Sequence, residues 1–274
     1  MPFTLAHPAA AVPFARSKLV LSALVIGSMA PDIQYFVRLT GQDRDAHKYP
    51  GILLITFPAA ILMLVVFHAL LKWPLISLMP RRLQLLTVEP ARRFRWWPLS
   101  RVALNLVSLA AGIVTHIAWD AFTHTDGWIV NIWPTLRVPL FYVGRTGIPP
   151  FKIAQHMSAV LGGLLLLGWS WKWYRRATPS ADRLPPTMPR AASLAVLGTC
   201  AIIAVSAGIM NALHIAERSE GLPYLQQFVS GLAVTSISIA TLELLAFSAA
   251  WWIFALRSDQ AWRTRKQFRR VSSQ

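Results

Sequence analysis

The chain contains one cysteine, Cys200, so it forms no disulfide within itself. Charge is equally scarce: Asp, Glu, Lys and Arg make up 14% of 274 residues, well below the roughly 25% usual in soluble domains. There is no Gly-rich phosphate loop, no serine nucleophile elbow and no internal repeat, which removes nucleotide-fold and serine-hydrolase chemistry from consideration. What fills the space is apolar. Hydrophobic residues make up 55% of the chain, and the mean hydropathy is +0.46. Runs at 51–71, 102–122, 154–173, 191–213 and 230–256 are each near the ~20 residues a bilayer requires. The expected fold is an all-α polytopic membrane bundle of about five transmembrane helices. A sixth apolar stretch, Leu19 to Val37, is interrupted by Pro31 and Asp32 and reads as a broken or re-entrant helix.

The formal charge of +16 invites a nucleic-acid reading, but its distribution argues otherwise. Lys72 to Arg101, Lys172 to Arg190 and the tail from Arg257 hold 18 of the 27 basic residues, and the intervening loops hold seven. That alternation is the positive-inside pattern. It places the three rich segments in the cytoplasm and the segments around His47, His124 and His156 on the outer side. Nucleic acid is not needed as a partner; membrane lipids are. Tryptophans near the span ends, including Trp73, Trp128, Trp133 and Trp171, suit the interface. The chain divides into a metal-site helical domain (1–175), a cytoplasmic Pro-rich linker (176–190), two C-terminal spans (191–256) and a basic tail (257–274).

The chemistry concentrates in THIAWDAFTH, residues 115–124. On a helix His116, Asp120 and His124 advance about 400° and about 6 Å per step, so they share one face over about 12 Å. One ion cannot take all three, but two neighbouring ions with Asp120 between them fit, and imidazole with carboxylate is a donor set for zinc or another first-row metal. A polar packing seam between spans is the plainer reading of the same trio. His47 and His156 fall on the same side by topology, and His7 and Asp32 join them only if Leu19 to Val37 turns back. His68 falls on the opposite side and reads as structural. Glu243, mid-span, reads as a neutral acid bonded to a neighbouring hydroxyl.

MPFTLAHPAA, VIGSMAPDIQYF, HKYPG, THIAWDAFTH and KIAQH, in this order over residues 1–165, resemble an uncharacterised bacterial integral-membrane family of unknown function, DUF4184. That family is similar to membrane-bound metal-dependent hydrolases and, more distantly, to secreted zinc-dependent phospholipase C. The resemblance implies seven ligands: His7, Asp32, His47, His116, Asp120, His124 and His156. Asp32, His47, His116 and Asp120 would hold one ion, His7 and Asp120 a second, and His124 with His156 a third. The Glu expected four residues after His156 is Val160, so two ions are as well supported as three. The implied activity is a zinc- or manganese-dependent phosphoesterase in the bacterial inner membrane. It would act on a lipid-linked phosphate or phospholipid at the outer interface, with Asp32 orienting or deprotonating the attacking water. The alternative is a non-catalytic metal-binding, structural or transport protein.

Overall fold

The computed structural model describes residues 4–39, 45–179, 187–217 and 221–257. Arg218, residues 180–186 of the Pro-rich linker and the basic tail after Arg257 lie outside the described residues. The fold is helical throughout, apart from a short hairpin. An N-terminal 3-10 arm (Thr4–Phe14) leads to α1 (Leu21–Met29), a 3-10 turn (Ala30–Asp32) and α2 (Ile33–Arg38). Next come α3 (Ile52–Leu78), α4 (Arg81–Arg92), α5 (Leu99–Thr123) and α6 (Trp128–Ile132). Strands β1 (Phe141–Val143) and β2 (Thr146–Ile148) pair antiparallel before α7 (Pro150–Arg176), α8 (Arg190–Ala216) and α9 (Gly221–Arg257). Among the described residues, five helices are long and apolar enough to cross a membrane.

The N-terminal segment is re-entrant with respect to the bundle. His7 contacts Asp120 near the end of α5. The Val20 amide instead donates to Ser108 Oγ at 2.9 Å, twelve residues or about 18 Å earlier on that helix, and Ser22 meets His68 far along α3. The chain then returns along α1 and reaches Asp32 beside His47. Pro31 sits in the 3-10 turn that ends α1, where a missing N–H does least harm. Leu19 to Val37 is therefore a broken helix forming one arm of a hairpin that runs down the bundle and back.

Glycine sets the closest crossing in this half. A Cβ on Gly27 would collide with the Leu109 carbonyl, and one on Gly112 with the Leu24 carbonyl, so α1 and α5 approach backbone to backbone. Ala23, Ile26, Leu64, Leu109 and Ile113 pack together around that crossing. α3 carries π-helical turns at Ile52–Thr56 and Phe67–Leu71, and the second presents His68 inward. Trp73, expected at the lipid interface, is instead buried against Ile76 and Val88. α8 and α9 pair with each other and join the rest where Ser238 Oγ donates to Phe36 O and Trp252 Nε1 to Leu70 O. Glu243 departs from expectation: its Oε2 is buried without a hydrogen-bond partner.

Candidate metal centre

Four segments converge at one end of the bundle: the N-terminal arm, the turn after α1, the His47 segment and α5. The α1–α5 crossing brings the last turn of α1 against His116, whose Nδ1–H donates to Ser28 O at 2.7 Å. A carbonyl only accepts, so Nδ1 carries a proton and a neutral His116 presents a bare Nε2. That atom is buried without a hydrogen-bond partner. It faces Asp120 Oδ2 at 3.1 Å and Asp32 Oδ1 at 3.6 Å. A lone pair aimed at two carboxylates is repulsive unless a cation stands between them or the ring is protonated.

His47 completes this group. Its Nε2 lies 3.2 Å from Asp32 Oδ1 and 3.6 Å from Asp120 Oδ2. The segment is held in place by Thr56 Oγ1, which donates to Ala46 O at 2.6 Å. One donor atom from each of Asp32, His47, His116 and Asp120 lies within 4.8 Å of every other. Four of the separations are 3.1–3.6 Å. A tetrahedral zinc site with bonds of about 2.05 Å has donor edges of about 3.3 Å, so these four residues could hold a metal ion with little rearrangement. The hydrogen bond from His116 to a backbone carbonyl is also the usual outer partner of a ligating histidine.

The other carboxylate oxygen of Asp120 gathers a second group. His7 Nε2 and His124 Nδ1 each lie 3.1 Å from Oδ1. His7 stacks on His116 with ring centres 4.0 Å apart. His124 Nε2 meets Gln155 Nε2 at 3.2 Å. Asp120 thus reaches the four-residue group through one oxygen and contacts His7 and His124 through the other. Access differs between the two sides: His116 is fully buried, whereas His124 is 22% exposed at its side chain.

Six of the seven residues picked out in the sequence meet here. The seventh, His156, is exposed and outside the cluster, and its neighbour Gln155 is the buried residue that reaches His124. The resemblance pairs His124 with His156; in the structure His124 and His7 each contact Asp120 Oδ1. Gln155 was legible only as part of KIAQH. α7 begins at Pro150, and which residue of the pair faces inward depends on how that helix rotates against α5. Val160 is exposed as well, so the expected third carboxylate has no counterpart at that position.

The family model for a domain of unknown function, DUF4184, matches residues 1–249. No curated protein and no solved structure matches the chain. With the match running from the N-terminal arm through the helices of the site and most of the C-terminal pair, the chain belongs to the DUF4184 family.

Proposed function

We propose that this protein is a membrane-embedded metal-dependent hydrolase that cleaves a phosphoester of a lipid. The observation that carries the reading is the bare Nε2 of His116 set between Asp32 and Asp120 with its other nitrogen committed to a backbone carbonyl. Asp32, His47, His116 and Asp120 would hold one divalent ion, zinc or manganese, and His7, His124 and Asp120 a second. Ions in such a pair lower the pKa of bound water and neutralise phosphate oxygens.

The residues divide the remaining work. Asp120 ties the two donor sets together through its two oxygens. The first set offers four protein donors, the number of a closed structural site, and the second offers three, the number that leaves room for chemistry. The Ser28 carbonyl steadies His116, and the Gln155 side-chain amide lies against His124 Nε2, where its oxygen, once turned toward the ring, would accept from Nε2–H and leave Nδ1 bare for the ion. Asp32 is a ligand first, and we assign it the further role of orienting the attacking water. The charge alternation of the loops supports a bacterial inner-membrane location with this end outward, where lipid phosphates lie.

The test is release of phosphate or headgroup from phosphatidic acid and phosphatidylglycerol in mixed micelles by the full chain loaded with zinc or manganese. Turnover that disappears in His124→Ala while the first ion is retained supports the reading. Stoichiometric metal with no turnover on any lipid phosphoester would leave the protein a metal-binding structural or transport component.

A further inference from the structure

The segment that joins α5 to α7 starts directly after His124 and carries an apolar surface that the metal cluster does not use. Trp128, Ile132, Trp133, Leu140, Phe141 and Tyr142 are each at least 50% exposed. β1 is exposed at all three of its residues, and a two-stranded ribbon so bare is marginal in water unless it packs against something. Its charge is of one sign. Arg137 and Arg145 lie between Gly127 and Pro150, and no Asp or Glu does. The segment is also fastened beside the site. The Arg137 guanidinium donates to Thr125 O and to Asn131 Oδ1, and Asn131 Nδ2 donates to Asp126 O at 3.2 Å. Arg137 is thus committed to the residue that follows His124, whereas Arg145 is exposed at the hairpin turn.

We propose that α6 and the β1–β2 hairpin dock into the headgroup boundary of the leaflet at the metal end, with Arg145 on the phosphate of an anionic phospholipid. Three observations select a bilayer surface over a protein partner. Both ends of the segment run into helices long and apolar enough to span, α5 ending at Thr123 and α7 starting at Pro150, so its exposed side chains are held at the membrane boundary. Those side chains include Trp128, Trp133 and Tyr142, whose amphipathic rings are most stable at headgroup depth. Basic charge without acidic neighbours complements lipid phosphate, and an arginine beside apolar residues reaches it while they stay among the acyl chains. Because Arg137 holds Thr125, the docked segment sets His124 at headgroup depth. The docking stands on these residues whether or not the cluster hydrolyses anything.

The test uses the full-length protein with Cys200→Ala, carrying one nitroxide at Ile132→Cys or at Tyr142→Cys, in vesicles of mixed phosphatidylcholine and phosphatidylglycerol. Both positions are exposed, so the label is tolerated, and size-exclusion chromatography checks that each variant is folded. Depth is read from collision with oxygen, which enters hydrocarbon, against collision with a nickel chelate, which stays in water. Both nitroxides should lie about 5–10 Å below the lipid phosphates. Arg145→Glu should shift the nitroxide at 142 toward water in these vesicles, and by less in phosphatidylcholine alone. Nickel access at both positions equal to that of a nitroxide in water would overturn the proposal. So would dipolar broadening that disappears on dilution with unlabelled protein, since a second copy would then cover the surface. A depth unmoved by Arg145→Glu would overturn the phosphate contact. Because depth is measured and not turnover, a protein that docks and cleaves nothing sustains this inference and defeats only the hydrolase reading.

Discussion

Two buried polar clusters, one of several histidines and one around the single His68, lie at opposite ends of the bundle, and they are built on opposite principles. At one end, His116 commits Nδ1 to a carbonyl and leaves Nε2 facing carboxylates. At the other, His68 is satisfied on both sides: Lys72 Nζ approaches Nδ1 at 3.3 Å and Ser22 Oγ approaches Nε2 at 2.9 Å. An ammonium only donates, so Nδ1 accepts and Nε2–H donates to Ser22. Phe94 stacks on the ring at 3.3 Å, and Phe67 and Trp96 present their edges. Lys72 also donates to Ala91 O at 3.0 Å, which fastens the end of α4. A cation already occupies that corner, and among the described residues no carboxylate contacts His68. The comparison teaches that burial of histidine alone says little. What separates a cluster that could hold a metal ion from a packing device is whether the unused nitrogen meets acceptors or donors.

The largest effect should come from the crossing that lies between the two clusters. Gly112→Val places branched carbon against the α1 backbone, and overpacking at a rigid backbone contact costs at least about 1–3 kcal/mol. Here it should disrupt both ends, seen as loss of folded protein in detergent by size-exclusion chromatography. Asp120→Ala removes the residue shared by both donor sets while leaving the His68 end intact. Loss of an outer partner of a ligand histidine costs roughly 10–100-fold in metal affinity, and loss of Asp120 should exceed that, with bound metal abolished by elemental analysis. Gln155→Leu frees His124 and should weaken the second ion by about tenfold in competition with a chelator, leaving the first unchanged.

His68→Leu acts on the other member of the pair. It strands Lys72 and Ser22, and a buried polar group left without its partner costs about 1–3 kcal/mol. Thermal unfolding should show that loss while metal content stays at the wild-type value. The smallest effect belongs to His156→Ala. An exposed side chain outside the cluster should leave metal stoichiometry and stability within about 0.5 kcal/mol of wild type.

Much of this contrast was legible in the sequence. The five apolar runs became five long helices, each extending a few residues beyond its run because polar and aromatic ends such as Trp171 to Arg176 continue the helix past the apolar stretch. The i, i+4 spacing of His116, Asp120 and His124 placed them on one face, and His68 was separated from them by topology. The hairpin of the N-terminus was legible only as a requirement, since His7 and Asp32 otherwise fall on opposite sides. The arm itself, with Pro8 and Pro13 in a 3-10 helix, has no periodicity to read. The Gly27–Gly112 crossing was not legible, because it is a contact between residues 85 positions apart and glycine has no side chain to announce it. Nor was the exchange of His156 for Gln155, which depends on the rotation of α7.

The most direct test is elemental analysis of detergent-purified wild-type protein beside His116→Ala. The account predicts two zinc or manganese ions per chain in the wild type and loss of at least one in the variant, with the variant still folded. No stoichiometric metal in folded wild-type protein after supplementation with zinc and manganese would contradict it. The carboxylates around His116 would then be holding a protonated imidazole, and the cluster would be a polar seam between helices.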